Sequence, residues 1–183
     1  MKTNENFQLS TFNFQPDKRL AVVILNWNGR ALMEEFLPSV VACTPGEWAD
    51  VIVADNGSTD DSIEMLKTKF PTVGIIRLDK NYGFAEGYNQ ALKHIGHEYT
   101  VLLNSDVEVT PGWLDAPIAA LDADKMIAGV QPKIRAQRNK EYFEYAGAAG
   151  GYMDRYGYPY CRGRVLHVVE KDAGQYLSLI HIS

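Results

Sequence analysis

The chain has 183 residues, 46% of them hydrophobic and 22% charged, with a net charge of -5 and a pI near 5.4. That size supports one compact domain with a real core, and mild acidity without a basic run gives no reason to expect nucleic-acid binding. Cys43 and Cys161 are far apart, with neither zinc nor redox spacing, so a reduced, cytoplasmic setting is expected.

Met1–Lys18 is rich in Asn, Gln and Thr and reads as a loose arm without a secretory signal. Leu20–Leu25 is a continuous apolar run, as expected of a strand buried on both faces. Helical spacing follows over Ala31–Ala42, and Val51–Ala54 is a second short strand. Asp60–Phe70 reads as a helix, with Asp60 and Asp61 in its first turn and Lys67 and Lys69 in its last, which suits the helix dipole. Val73–Leu78 is a third strand, Phe84–Ile95 a helix and Tyr99–Leu103 a fourth strand. Trp113–Leu121 then reads as a helix and Ile127–Val130 as a strand. Glu141–Arg164, rich in Gly, Tyr and Arg, has no clean period and predicts loops and short strands, in the place of an acceptor-side flap. No stretch approaches bilayer length, and a membrane anchor beyond the chain's end stays open.

This alternation predicts an α/β fold, a mostly parallel sheet sandwiched by helices. Ligands of such sheets sit at the carboxyl ends of the strands. After the first strand come Asn26 and Asn28, whose amides are enough to read a base edge, and Gly29, which allows a tight turn. A simple strand-to-helix turn with an Asn cap explains the same residues. Asp55 and Asn56 end the second strand. Ser58 or Thr59 can cap the coming helix, whereas Asp55 is left as an acceptor for the imide N–H of uracil or thymine.

After the third strand, Asn81, Gly83, Phe84, Gly87 and Asn89 surround a helix start, where backbone N–H groups can approach a phosphate or ribose. Neither the dinucleotide nor the P-loop spacing is present, and a capped helix with Gly87 packed closely is an equal reading. The fourth strand runs into Asn104-Ser105-Asp106. A carboxylate there can hold a hard cation, Mg²⁺ or Mn²⁺, that bridges phosphate oxygens. A single Asp after a strand is more often a cap, but four polar strand ends on one edge weaken that reading.

LAVVILNWNG, VIVADNGSTDDS, NYGFAEGYNQAL and VLLNSDVEVTPGWL resemble, in order and spacing, the inverting family 2 glycosyltransferases of GT-A fold, nearest to the rhamnosyltransferase-like bacterial enzymes. The resemblance is strong over Leu20–Leu121 and looser to Tyr176. It implies transfer of a sugar from a nucleoside-diphosphate donor to an acceptor hydroxyl, with a glycan or lipid-linked acceptor and a cytoplasmic site at or near the inner membrane face. Carried over by position, Asn26 and Asn28 lie near the nucleotide and Asp55 bonds the base. Asn56, Asn81, Gly83, Phe84 and Asn89 belong to the nucleoside pocket. Asn104-Ser105-Asp106 stands for the D-x-D motif, with Asn104 and Ser105 on the nucleotide side and Asp106 on the metal.

The family's general base lies later in the chain. Glu170 and Asp172 resemble the stretch before it and are not assigned as catalytic. Leu177–Ser183 matches a translated sequencing adapter and is expected to be foreign to the fold, with a natural apolar C-terminal strand as the alternative. The expected organisation is therefore an arm over 1–18, a partial nucleotide-sugar-binding domain over 19–176 and a non-native tail over 177–183. A non-catalytic nucleotide-binding or interaction domain on the same scaffold is the rival reading. A sugar-phosphate nucleotidyltransferase ranks lower, because its Gly-rich, Arg-containing N-terminal signature is absent.

Overall fold

A computed structural model describes residues 9–10, 17–144, 150–165, 167–175 and 179–182. The chain divides into two units, Met1–Gly112 and Trp113–Ser183. In the first, the elements are β1 (Leu9–Ser10), β2 (Leu20–Asn26), α1 (Arg30–Cys43), β3 (Ala49–Asp55), α2 (Ser62–Lys69), β4 (Gly74–Arg77), α3 (Phe84–Leu92) and β5 (Tyr99–Leu103). They build a five-stranded sheet in the order β1-β4-β3-β2-β5. β2 pairs in parallel with β3 and β5, and β3 with β4, as the alternation predicts. β1 lies antiparallel on β4, with Leu9 opposite Ile76, so part of the polar N-terminal segment joins the sheet edge.

Handedness decides where the helices go. β2, β3 and β4 follow one another in one direction across the sheet, so right-handed crossovers put α1 and α2 on one face. From β4 the chain returns past β3 and β2 to β5, which puts α3 on the other. Accordingly, Tyr88 and Ala91 of α3 pack on Ala21, Val23, Ile52, Ala54 and Ile76. α1 buries Met33, Leu37 and Val40, spaced as one stripe, and α2 buries Met65 and Leu66. β2 is covered on both faces and flanked on both edges, so Leu20–Ile24 needs no alternation and every residue of it is buried. The strand order reverses between β2 and β5, and open sheets bind ligands at the carboxyl side of such a reversal.

Several helix ends differ from expectation, and the helix expected over Trp113–Leu121 runs instead over Asp115–Ala123. α2 starts at Ser62 rather than Asp60, because the Asp60 carboxylate is used to accept the Ser62 N–H. α3 ends at Leu92, and bonds from His94 N–H to Ala91 and from Ile95 N–H to Leu92 tighten the chain into a narrower turn.

In the second unit, α4 (Asp115–Ala123) leads to β6 (Ile127–Gln131). Short antiparallel pairs follow: β7 (Arg135–Ala136) with β8 (Asn139–Phe143), β9 (Gly151–Met153) with β10 (Pro159–Cys161), and β11 (Arg164–Val165) with β12 (Val168–Val169). These are the short strands expected of the Gly- and Tyr-rich stretch, of which 145–149 lie outside the described residues. Phe143 is buried among Ile134 and Val169 and anchors the pairs. β13 (Leu179–Ile182) falls in the adapter-like tail and pairs antiparallel with β6. Among the described residues no helix is long and apolar enough to cross a membrane.

Candidate functional site

The ends of β2 and β3 are tied by side chains. Asn26 donates through Nδ2 to Asp55 Oδ1 at 3.1 Å and to Ser58 Oγ at 3.2 Å. Asp55 Oδ2 accepts the Ser58 N–H at 3.1 Å. Asn26 and Asp55 are 1% exposed, so these bonds form in a dry setting where leaving a polar group unpaired is costly. Asn26 Oδ1 is nevertheless buried without a hydrogen-bond partner. Gly29 is required beside it: a Cβ there would lie 2.5 Å from that oxygen. The tight turn expected of Gly29 is made instead by Asn28, at φ 50°.

Asn28 faces the entrance of α2. Its Oδ1 accepts the N–H of Thr59 at 2.7 Å and of Asp60 at 3.3 Å, and its own N–H donates to Ser58 Oγ at 2.9 Å. Ser58 is therefore a junction between two loops rather than a helix cap. Asp60, just before the N-cap Asp61, accepts the Ser62 N–H and hydroxyl on its Oδ1. Burial works to raise the Asp60 pKa, but bonds from the Ser62 hydroxyl and amide and the Arg30 amide outweigh it and hold the carboxyl below its ordinary value.

Asn56, also buried, spans the next gap. Its Nδ2 donates to Asn81 Oδ1 at 3.0 Å and to the Gly83 carbonyl at 2.9 Å, and its Oδ1 accepts the Tyr82 N–H at 2.9 Å. Asn81 Oδ1 also accepts the Gly83 N–H at 2.7 Å. Gly83 precedes α3 at φ 76°, and Phe84 opens that helix with its ring 67% exposed. Asn89 is exposed on α3 and donates to Glu86 at 3.3 Å. Gly87 sits under this network, where a Cβ would meet Asn56 Nδ2 at 2.9 Å and the Leu25 methyls at 3.0 and 3.1 Å. The close packing expected of Gly87 is thus present.

Asn104, Ser105 and Asp106 follow β5 directly, with Asn104 and Asp106 exposed. Their strand neighbours β2, so they stand beside Asn26 across the reversal of strand order. Between the two strand ends lies the Tyr88 hydroxyl, which donates to the Leu103 carbonyl at 3.0 Å and accepts the Leu25 N–H at 3.4 Å. Burial pushes its pKa up, so it remains a neutral donor.

A family model described as "Glycosyl transferase family 2" matches residues 21–168. The chain belongs to glycosyl transferase family 2. It is 26% identical over 127 residues to an N-acetylglucosaminyl-diphospho-decaprenol L-rhamnosyltransferase of Mycobacterium tuberculosis, covering 63% of this chain and 41% of the relative. It is 26% identical over 136 residues to an undecaprenyl-phosphate 4-deoxy-4-formamido-L-arabinose transferase of Klebsiella pneumoniae, covering 71% and 41%. The chain thus spans about two fifths of the length of these curated relatives.

Among solved structures, TarS 1–349 of S. aureus with UDP-GlcNAc matches at a TM-score of 0.56 and 21% identity, over 64% of this chain and 34% of that one. The mannosyltransferase PcManGT of Pyrobaculum calidifontis, with GDP-Man and Mn²⁺, matches at 0.56 and 23%, over 66% and 36%. These likenesses support the family's fold, a GT-A sheet with helices on both faces.

The family 2 scaffold thus brings Asn26, Asn28 and Asp55 into one network and Asn56, Asn81 and Gly83 into a second. Asn104-Ser105-Asp106 is linked to the first through Tyr88 rather than by its own side chains. Among the described residues no three His, Cys, Asp or Glu side chains gather to hold a metal. One exposed carboxylate still fits Mg²⁺ or Mn²⁺, which take one or two protein carboxylates and complete their shell with phosphates and water. Ser58 and Tyr88 were not legible as site residues. The bonds of their hydroxyls run to partners 30 and 32 positions away for Ser58 and 15 and 63 for Tyr88, beyond any local pattern.

Proposed function

We propose that this chain is the donor-binding part of an inverting glycosyltransferase that uses a UDP- or dTDP-sugar. The observation that carries the reading is the sealed Asn26–Asp55–Ser58 network at the switch point, with exposed Asp106 on the adjoining strand end. Each Asp55 oxygen accepts one bond and has a lone pair left, and because Asp55 is 1% exposed the imide N–H of uracil or thymine would reach it on displacing the Ser58 loop. Asn26 and Asn28 would face the nucleotide, and Asn56, Asn81, Gly83, Phe84 and Asn89 would form the nucleoside wall. Asn104 and Ser105 would meet the ribose side, and Asp106 would hold Mg²⁺ or Mn²⁺. The cation would supply charge neutralisation of the departing diphosphate.

The relatives' names support a lipid-linked acceptor, with rhamnose as one donor sugar; a place at the inner membrane face belongs to the same proposal. No side chain here is assigned as the general base, so the chain alone binds donor and does not turn over. Calorimetry tests the reading. UDP binds in the presence of Mn²⁺, and Asp106→Ala lowers that affinity about tenfold, the scale of one charge-assisted contact. A folded sample with no metal-dependent nucleotide binding sinks the reading, and an unchanged Asp106→Ala affinity removes the metal assignment.

A further inference from the structure

The β2–β5 register runs from Leu20 opposite Tyr99 to Ile24 opposite Leu103 and stops there. On its other side β2 stays paired with β3 two residues longer, to Asn26 opposite Asp55. The sheet therefore forks at Leu25: one prong carries Asn26 and Asp55, the other carries Asn104-Ser105-Asp106. At the crotch of the fork the Tyr88 hydroxyl accepts the Leu25 N–H at 3.4 Å and donates a hydrogen bond to the Leu103 carbonyl at 3.0 Å. A hydroxyl is donor and acceptor at once, so it can replace a ladder rung between two backbones while holding them wider apart than a direct N–H···O bond would. The ring is fixed as well, 4% exposed in the α3-face cluster and edge-on to Phe84, with centroids 5.2 Å apart.

We infer that Tyr88 is a positioning residue: its hydroxyl is the inserted rung that sets the width of the cleft between Asn26 and Asn104-Ser105-Asp106. It touches neither donor nor metal and acts by spacing the two prongs that do. This inference rests on the donor-binding reading for its functional consequence, and on the sheet alone for its structural one.

The test compares the whole chain with Tyr88→Phe, which keeps the ring and removes the rung. Amide exchange at Leu25 is expected to rise about tenfold or more while Val23, two residues inside the ladder, is unchanged. The NMR resonances of Asn104, Ser105 and Asp106 are expected to shift. UDP affinity in Mn²⁺ is expected to fall about tenfold, while UDP affinity without metal, which does not require both prongs, changes less. Unchanged Leu25 exchange overturns the rung. Faster exchange with unshifted Asn104–Asp106 resonances, or with unchanged metal-dependent affinity, overturns the positioning role. If the parent binds no nucleotide, the donor-binding reading fails by itself, and exchange and resonance shifts still decide the rung. Should Tyr88→Phe not fold, 3-fluorotyrosine at position 88 replaces it. Its more acidic hydroxyl is expected to shift the Leu25 amide and Asn104–Asp106 resonances, and unmoved resonances overturn the inference.

Discussion

Asn26 and Asp55 end adjacent parallel strands in register and are joined by their own side chains, Nδ2 to Oδ1 at 3.1 Å. The bond stands beside the last backbone rung, from the Asn56 N–H to the Asn26 carbonyl at 2.7 Å, and fixes the spacing of the side chains at the strand ends. Because both residues are buried, truncating either strands polar groups of the other.

Asp55→Ala is expected to leave the Ser58 N–H without its acceptor and Asn26 Nδ2 with Ser58 Oγ alone. The expected loss is about 1–3 kcal/mol, the cost of orphaned buried donors. Asp55→Asn keeps one carbonyl acceptor and loses less. Urea unfolding of the three proteins checks the order, and equal midpoints for Asp55→Ala and the parent contradict it.

Gly87→Ala sets two effects against each other. A helical Gly→Ala change gains up to about 1 kcal/mol in propensity, but the new methyl would meet Asn56 Nδ2 at 2.9 Å. The Leu25 methyls can swing away, whereas the Asn56 amide is held by Asn81 and Gly83. Overpacking of about 1–3 kcal/mol wins. A lower melting temperature is expected, together with faster exchange of the Tyr82 amide that Asn56 accepts.

The parts of the fold legible from sequence are those whose cause is local or periodic. Leu20–Leu25 announces a strand covered on both faces, and alternation with helices makes the sheet parallel, which directs attention to the residues after each strand. Asn26, Asp55 and Asn104 follow from that step. Ser58 looked like a cap because Ser before a helix usually is one, yet Asn26 and Asn28 claim its hydroxyl from another loop. Tyr88 falls inside the stretch Phe84–Ile95 read as a helix, and its hydroxyl matters because two strands diverge beside it. Gly29 was legible as special, though the reason is the Asn26 oxygen pressed against it rather than a turn.

Acid should loosen the same corner by a route specific to Asp60. Its folded pKa lies below the ordinary 3.8, since bonds from Ser62 and Arg30 outweigh burial. A depressed carboxylate contributes stability that is complete above the unfolded value and lost as pH falls through the lower folded value. The group is partly exposed and screened by solvent, so the contribution is at most about 1 kcal/mol. Asp60→Asn is expected to be less stable than the parent at pH 7 and to converge with it as pH falls below the ordinary 3.8. Taking the difference between the two proteins removes the acid response of Glu34, Glu86 and Asp172, whose pKa values are also lowered. A gap that stays constant from pH 7 to 3 contradicts the assignment.

At the opposite ends of the strands, Asp50 is buried between Lys18 Nζ at 2.8 Å and His97 Nε2 at 3.0 Å. Lys18 comes from the polar N-terminal segment, so this pair fastens that segment to the start of β3. The side chains are 14%, 1% and 5% exposed for Lys18, Asp50 and His97, too dry for solvent to replace a missing partner. Asp50→Ala is expected to cost about 3–5 kcal/mol, because it leaves buried cationic and polar groups uncompensated. Replacing both ions, Lys18→Met with Asp50→Leu, should recover part of that loss, since an apolar pair carries no desolvation penalty. A double-mutant cycle by urea unfolding reads the coupling. Strictly additive losses contradict a coupled pair. UDP affinity of the folded double variant should match the parent, because Asp50 and Asp55 lie at opposite ends of β3.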